Sequence, residues 1–129
     1  MIKQNTRLIA LFIITGSQAN AADSYKVGDA FYCNETAVTF SNQEVDWKAV
    51  NGKLEAFRFS LTKDSQGKTL IKFGSSGYFT GSTMSVGKTS WMLMADDEHS
   101  KFKLHKGRFT YASAGVFQVI MRTGTCDKF

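Results

Sequence analysis

The stretch Trp91–Arg122, WMLMADDEHSKFKLHKGRFTYASAGVFQVIMR, decides the fold. Apolar and polar residues alternate along it in short runs, broken by clusters of Asp, Ser and Gly. Alternation with a period of two marks strands that bury one face. Lys106-Gly107 predicts a tight hairpin turn, which pairs Leu104 with Phe109 and Phe102 with Tyr111. A turn at Asp96–Ser100 sets Met92 opposite Leu104 and Met94 opposite Phe102. A turn at Ser113–Gly115 sets Tyr111 opposite Phe117 and Phe109 opposite Val119, with Met121 following on the same face. Four strands then share one apolar face, and a slip of one residue in any of them turns its apolar set outward.

Upstream the same pattern continues. Phe31–Cys33 and Ala37–Phe40 read as short strands, Glu44–Val50 is open to a single helical turn, and Asn51-Gly52 is a turn signal. Leu54–Thr62 and Lys68–Phe73 form a hairpin around Lys63–Gly67, which sets Phe57 opposite Phe73, Phe59 opposite Ile71 and Leu61 opposite Thr69. The chain is therefore all-β. An antiparallel meander of about eight short strands, each with one apolar face, must close into a small barrel or flatten into a two-sheet sandwich.

The chain opens with Lys3 and Arg7, an apolar run at Leu8–Ile14, and Ala19-Asn20-Ala21. That order is the signature of a secretory signal peptide, residues 1–21, cut after Ala21. The apolar run is far shorter than the roughly 18 residues that span a bilayer. A single β domain, residues 22–129, is then expected in the periplasm or outside the cell, with no transmembrane segment after cleavage. Cys33 and Cys126 are the two cysteines, and an oxidising compartment makes one disulfide the expectation. By chain entropy, so long a loop stabilises the fold by about 4–5 kcal/mol before native strain is subtracted. Losing Lys3 and Arg7 lowers the net charge from +5 to +3, so an acidic partner is favoured only if the charge gathers on one face.

The register gathers it. The face opposite the core carries Trp91, Leu93, Lys101, Lys103, His105, Arg108, Thr110, Gln118, Ile120 and Arg122. Trp91, Lys101, Lys103, His105, Arg108 and Arg122 are the candidate binding residues, an aromatic and cationic platform with the acids displaced into the turn at Asp96, Asp97 and Glu98. The plain alternative is a solvated face that keeps the sheet from aggregating.

Catalytic and metal chemistry finds no footing. His99 sits in a turn and His105 several residues down a strand, too far apart at about 3.3 Å per residue to share an ion. No Gly-x-Ser-x-Gly elbow is present, and Gly74, Gly77 and Gly81 lack the Lys-Ser/Thr of a phosphate loop. No catalytic residue, metal site or cofactor is assigned.

Phe31-Tyr32-Cys33 early, Cys126 late, and Ser76-Gly77-Tyr78 between them resemble the framework of the membrane-bound and periplasmic inhibitors of C-type lysozyme. Around Lys88–Trp91 the later Trp and Lys-Gly-acid segment of that family has no counterpart. The resemblance implies a barrel and an inhibitory loop at Ser75–Thr80 that acts through Ser76 and Tyr78, with Lys88 a third position. The expected function is thus that of a non-enzymatic, exported binding or accessory protein. Its partner is an acidic polymer or another exported protein, with nucleic acid disfavoured because an exported chain seldom meets it. The alternative is an inhibitor of a C-type lysozyme-like enzyme.

Overall fold

The computed structural model describes residues 25–87 and 91–129. The leader read at residues 1–21 and the position of Lys88 lie outside the described residues. Nine strands follow in order: β1 (Ala30–Asn42), β2 (Val50–Asn51), β3 (Ala56–Lys63), β4 (Thr69–Phe73), β5 (Thr83–Val86), β6 (Leu93–Asp96), β7 (Ser100–His105), β8 (Arg108–Ala114) and β9 (Gln118–Lys128). Their spatial order is β2-β1-β3-β4-β5-β6-β7-β8-β9, and β1 also pairs with β9. Eight strands therefore close into an antiparallel barrel, with β2 appended to β1. Closure leaves the eight without a free sheet edge, which a sandwich would retain. Among the described residues no helix is long and apolar enough to cross a membrane.

The β1–β9 seam shuts the barrel. Cys33 lies directly opposite Cys126, and the two form a disulfide. The seam also explains why β1 reads as two strands. A bulge falls between Glu35 and Ala37, so Phe31, Cys33 and Glu35 point inward before it, and Val38 after it. Alternation breaks at the bulge although the strand continues. Gln43–Val45 forms one 3-10 turn, capped where the Val45 N–H donates to Asn42 Oδ1 at 3.2 Å. Asn51 belongs to β2, opposite Thr39, so Asn51-Gly52 is not a hairpin turn.

The β7–β8 register is as expected, with Leu104 opposite Phe109 and Phe102 opposite Tyr111. Lys106 and Gly107 both adopt positive φ, 46° and 75°, the backbone that a two-residue turn needs to match strand twist. Elsewhere the register differs. In β3–β4, Phe59 faces Phe73 and Leu61 faces Ile71, two residues from the expected pairing. An even slip keeps every side chain on its face, and Phe57, Phe59, Leu61, Ile71 and Phe73 are all buried. The turn shifts because Asp64 Oδ1 accepts the Gln66 and Lys68 N–H groups, both at 2.9 Å.

Odd slips occur in β6 and β9. Leu93, not Met92, faces Leu104, so Leu93 and Ala95 are buried and Met94 is exposed. Val119 faces Ala114 and Arg122 faces Tyr111, so Ile120 and Arg122 point inward while Phe117, Val119 and Met121 are exposed. The cause lies in β9 itself. Cys126 must point inward to reach Cys33, and period two then carries Gly124, Arg122 and Ile120 inward with it.

Side chains fill the barrel. Phe57 meets Phe109 edge-on at 5.1 Å, Phe102 stacks on Phe109 at 5.6 Å, and Phe73 stacks on Phe79 at 4.5 Å. An eight-stranded barrel is just wide enough for such a filling. Functional surface must be sought on the rims and the outside.

Candidate functional site

Two regions gather chemistry. The first is the outer face of β7 and β8. Lys101, Lys103, Arg108 and Thr110 project into solvent there. His105 is half-buried beside Trp91, whose ring it meets edge-on at 5.1 Å, and His105 Nδ1 lies 3.1 Å from the Trp91 carbonyl. Trp91 is 56% exposed, so its indole is no part of the core. Three expected members are missing: Leu93, Ile120 and Arg122 are buried, for the parity reasons just given. The face has three cations rather than four. It also has an acid, because Asp96 ends β6 directly opposite Lys101 instead of lying in the turn.

The second region is the rim where the 3-10 turn, the β8–β9 turn and the Ser75–Thr80 loop meet. Loop rigidity comes first. Gly77 has φ +81°, and an added Cβ would lie 2.8 Å from the Ala56 carbonyl oxygen, so glycine is required. The Thr80 hydroxyl donates to the Gly77 carbonyl at 2.6 Å, and the Gly81 N–H donates to the Gly74 carbonyl at 3.1 Å. Phe79 plugs the barrel end, edge-on to Tyr111 at 4.8 Å. Ser76 is exposed at the tip, and Tyr78 lies with its ring over the Arg122 guanidinium at 3.9 Å.

Arg122, missed as a rim residue, organises this end. Its Nη1 donates to both oxygens of Glu35, at 2.8 and 2.7 Å, and lies 3.7 Å from Glu55 Oε2. The Glu55 N–H donates to Glu35 Oε1 at 2.7 Å. Arg122 Nε is buried with no hydrogen-bond partner among the described residues. The bulge in β1 turns Glu35 inward, and the Cys126 parity turns Arg122 toward it. Next to the pair, Tyr111 donates to Ser100 Oγ at 3.0 Å and Ser100 to Ser113 Oγ at 2.9 Å. Burial, with Tyr111 beside it, pushes the Tyr78 phenol up to about 12 against the pull of Arg122. Tyr78 is thus a neutral, anchored ring at any ordinary pH.

Around this anchor the rim exposes apolar side chains. Val116 and Phe117 are each 82% exposed, and Trp47 is more than half exposed. A groove of about 590 Å³ separates Trp47 and Glu44 from Val116 and Phe117. Asp46 and Trp47 both hold positive φ, 55° and 56°, a conformation costly for a bulky side chain. The Trp47 N–H donates to the Asn42 carbonyl at 2.9 Å and holds the residue there. No local signal marked Val116 and Phe117 as exposed, because an apolar pair just after a turn reads equally as the start of a buried strand.

Among the described residues no three His, Cys, Asp or Glu side chains come together to hold a metal ion. Comparison with protein-family models, with curated proteins and with solved structures yields no match.

Proposed function

We propose that this is an exported, non-catalytic binding protein whose working surface is the barrel rim formed by Trp47, Tyr78, Val116 and Phe117. The signal-peptide pattern of residues 1–21 supports export. The observation that carries the reading is the set of large apolar side chains that stand out of the core together at one end. Exposed aromatics on a pre-ordered backbone bind a partner without a large ordering cost. The Glu35 carboxylate is already taken by Arg122 and the Glu55 N–H, which favours a structural over a general-base role.

The resemblance at Ser76-Gly77-Tyr78 makes a C-type lysozyme-like enzyme the partner to test first. The loop would enter the enzyme's cleft with Ser76 at its tip leading, Tyr78 behind it and the Phe117 turn packing beside it. Glu44, beside Trp47, and Asp97, close enough to act on Tyr78, give this rim an acidic character that suits a basic partner. The test is inhibition of C-type lysozyme together with calorimetric binding, using the mature chain. Tyr78→Ala and Phe117→Ser are each expected to weaken binding more than tenfold, and Phe117→Ser, at an 82% exposed position, to do so with melting temperature unchanged. Wild-type protein that neither binds nor inhibits lysozyme rejects this partner. Binding that survives both substitutions rejects the rim.

A further inference from the structure

On the outside of the barrel, Thr110 and Ala112 of β8 present short side chains between Lys101 and Lys103 of β7 and Met121 and Thr123 of β9. Lys101, Ala112 and Met121 form one row across β7, β8 and β9, and Lys103, Thr110 and Thr123 form the next. A shallow trough of about 260 Å³ runs along β8 between these walls. Arg108 and Thr125 make a third row with His105, and Trp91 leans on His105 at that end. No acid stands in these three rows. Two acids border them: Asp96 faces Lys101 from β6, on the side away from the trough, and Asp127 follows Thr125 by two residues on the outer face of β9, beyond the third row.

We propose that this trough binds an extended acidic polysaccharide, a site separate from the rim. Lys101 and Lys103 point the same way from one strand, about 7 Å apart. A single small anion cannot engage both and Arg108 as well, whereas a chain with repeating carboxylates or sulfates can. The trough also offers what a sugar ring needs besides charge. Thr110, Thr123 and Thr125 supply hydroxyls, Met121 supplies an apolar wall, and Trp91 supplies an exposed ring face at the end. A single-stranded nucleic acid is a poorer fit, because proteins that bind it stack successive bases on successive aromatics, and the trough has one indole at one end.

The experiment uses the mature chain, size-defined alginate oligosaccharides, a neutral dextran of equal length and an oligothymidylate as probes. Alginate is expected to bind at low salt, with affinity falling about tenfold by physiological ionic strength as screening sets in. Dextran is expected not to bind. Lys103→Glu/Arg108→Glu should lose at least tenfold. Ala112→Trp, which fills the trough without changing charge, should lose a similar factor. Arg58→Glu/Lys72→Glu makes the same charge change on β3 and β4, away from the trough, and should retain binding, as should Tyr78→Ala on the rim. The proposal is overturned if alginate does not bind, if Ala112→Trp binds as wild type, or if the Arg58/Lys72 variant loses as much as the Lys103/Arg108 variant. Tighter binding of oligothymidylate than alginate overturns the ligand class.

Discussion

The β7–β8 and β8–β9 hairpins share a strand, yet they settle their facing by different physics. In the first, four large apolar side chains, Phe102, Leu104, Phe109 and Tyr111, are all inside. In the second, β9 sends Ile120, Arg122, Gly124 and Cys126 inward and leaves Val119 and Met121 in solvent, with Phe117 exposed in the turn before it. Hydrophobic burial and a two-residue turn fix the first hairpin. A disulfide, a buried ion pair and a close backbone approach fix the second. The difference shows that apolar pattern decides facing only where no stronger constraint is present in the strand.

The largest test of that contrast compares one core residue from each hairpin. Phe109→Ala should cost roughly 3–5 kcal/mol, the usual loss for truncating a buried phenylalanine. Arg122→Ala should cost about as much, roughly 3–5 kcal/mol, because it leaves Glu35 buried and unpaired. Replacing the pair together, Glu35→Gln with Arg122→Met, should recover much of the loss. Chemical denaturation reads all three. An Arg122→Ala variant as stable as wild type would mean that the ion pair does not anchor β9.

A smaller effect is expected at Gly124. A Cβ there would fall on the Asn34 carbonyl oxygen across the seam and on the Phe109 ring. Gly124→Ala should cost about 1–3 kcal/mol, as overpacking does, and should widen the β1–β9 seam. Loss of amide protection at Thr125 but not at Cys126, whose N–H donates to the Gly107 carbonyl on the β8 side, would localise the damage to the seam in hydrogen exchange. Gly107→Ala offers the matching probe in the first hairpin, where positive φ rather than crowding is at stake.

Smaller still are Val119→Ser and Met121→Ser. Apolar pattern alone makes each a core loss of several kcal/mol. Their outward position instead predicts changes within about 0.5 kcal/mol. Melting curves separate these outcomes without ambiguity.

These cases show what the sequence makes legible. The all-β class and the β7–β8 register follow from local alternation and turn chemistry, and the disulfide from two cysteines in a chain with an export signal. The β9 facing was also available, since an inward Cys126 forces an inward Arg122 by period two. The apolar residues at 117, 119 and 121 argue the opposite and are more numerous. The β1 bulge was not legible, because one inserted residue looks the same as a break between two strands. The rim site depends on that bulge and on β9 together. Glu35 and Arg122 are 87 residues apart, and only barrel closure brings them into contact. Trp47 and Phe117 likewise meet across one groove only after the seam has formed.

The smallest effect concerns Tyr78, where the two hairpins' constraints meet. Tyr111 comes from the well-patterned β8 and raises the Tyr78 phenol; Arg122 comes from β9 and lowers it. Burial is the larger cause, and the net result is a phenol pushed up to about 12 from the ordinary 10. The folded state therefore favours the neutral form. Its contribution is fully present below pH 10 and is lost as pH rises through about 12. Because the ring is 41% exposed, solvent screens the effect and the change in stability should be small. The titration itself is the sharper measurement. Phenolate absorbance should show a late step that Tyr78→Phe removes. Arg122→Met, made in the Glu35→Gln background, should move that step higher, since the attracting cation is gone. A partner seated on the rim should move it in the same direction by excluding water from the ring. If Tyr78→Phe leaves the late step in place, the ring is not packed between Tyr111 and Arg122, and the rim lacks the anchor on which its binding role rests.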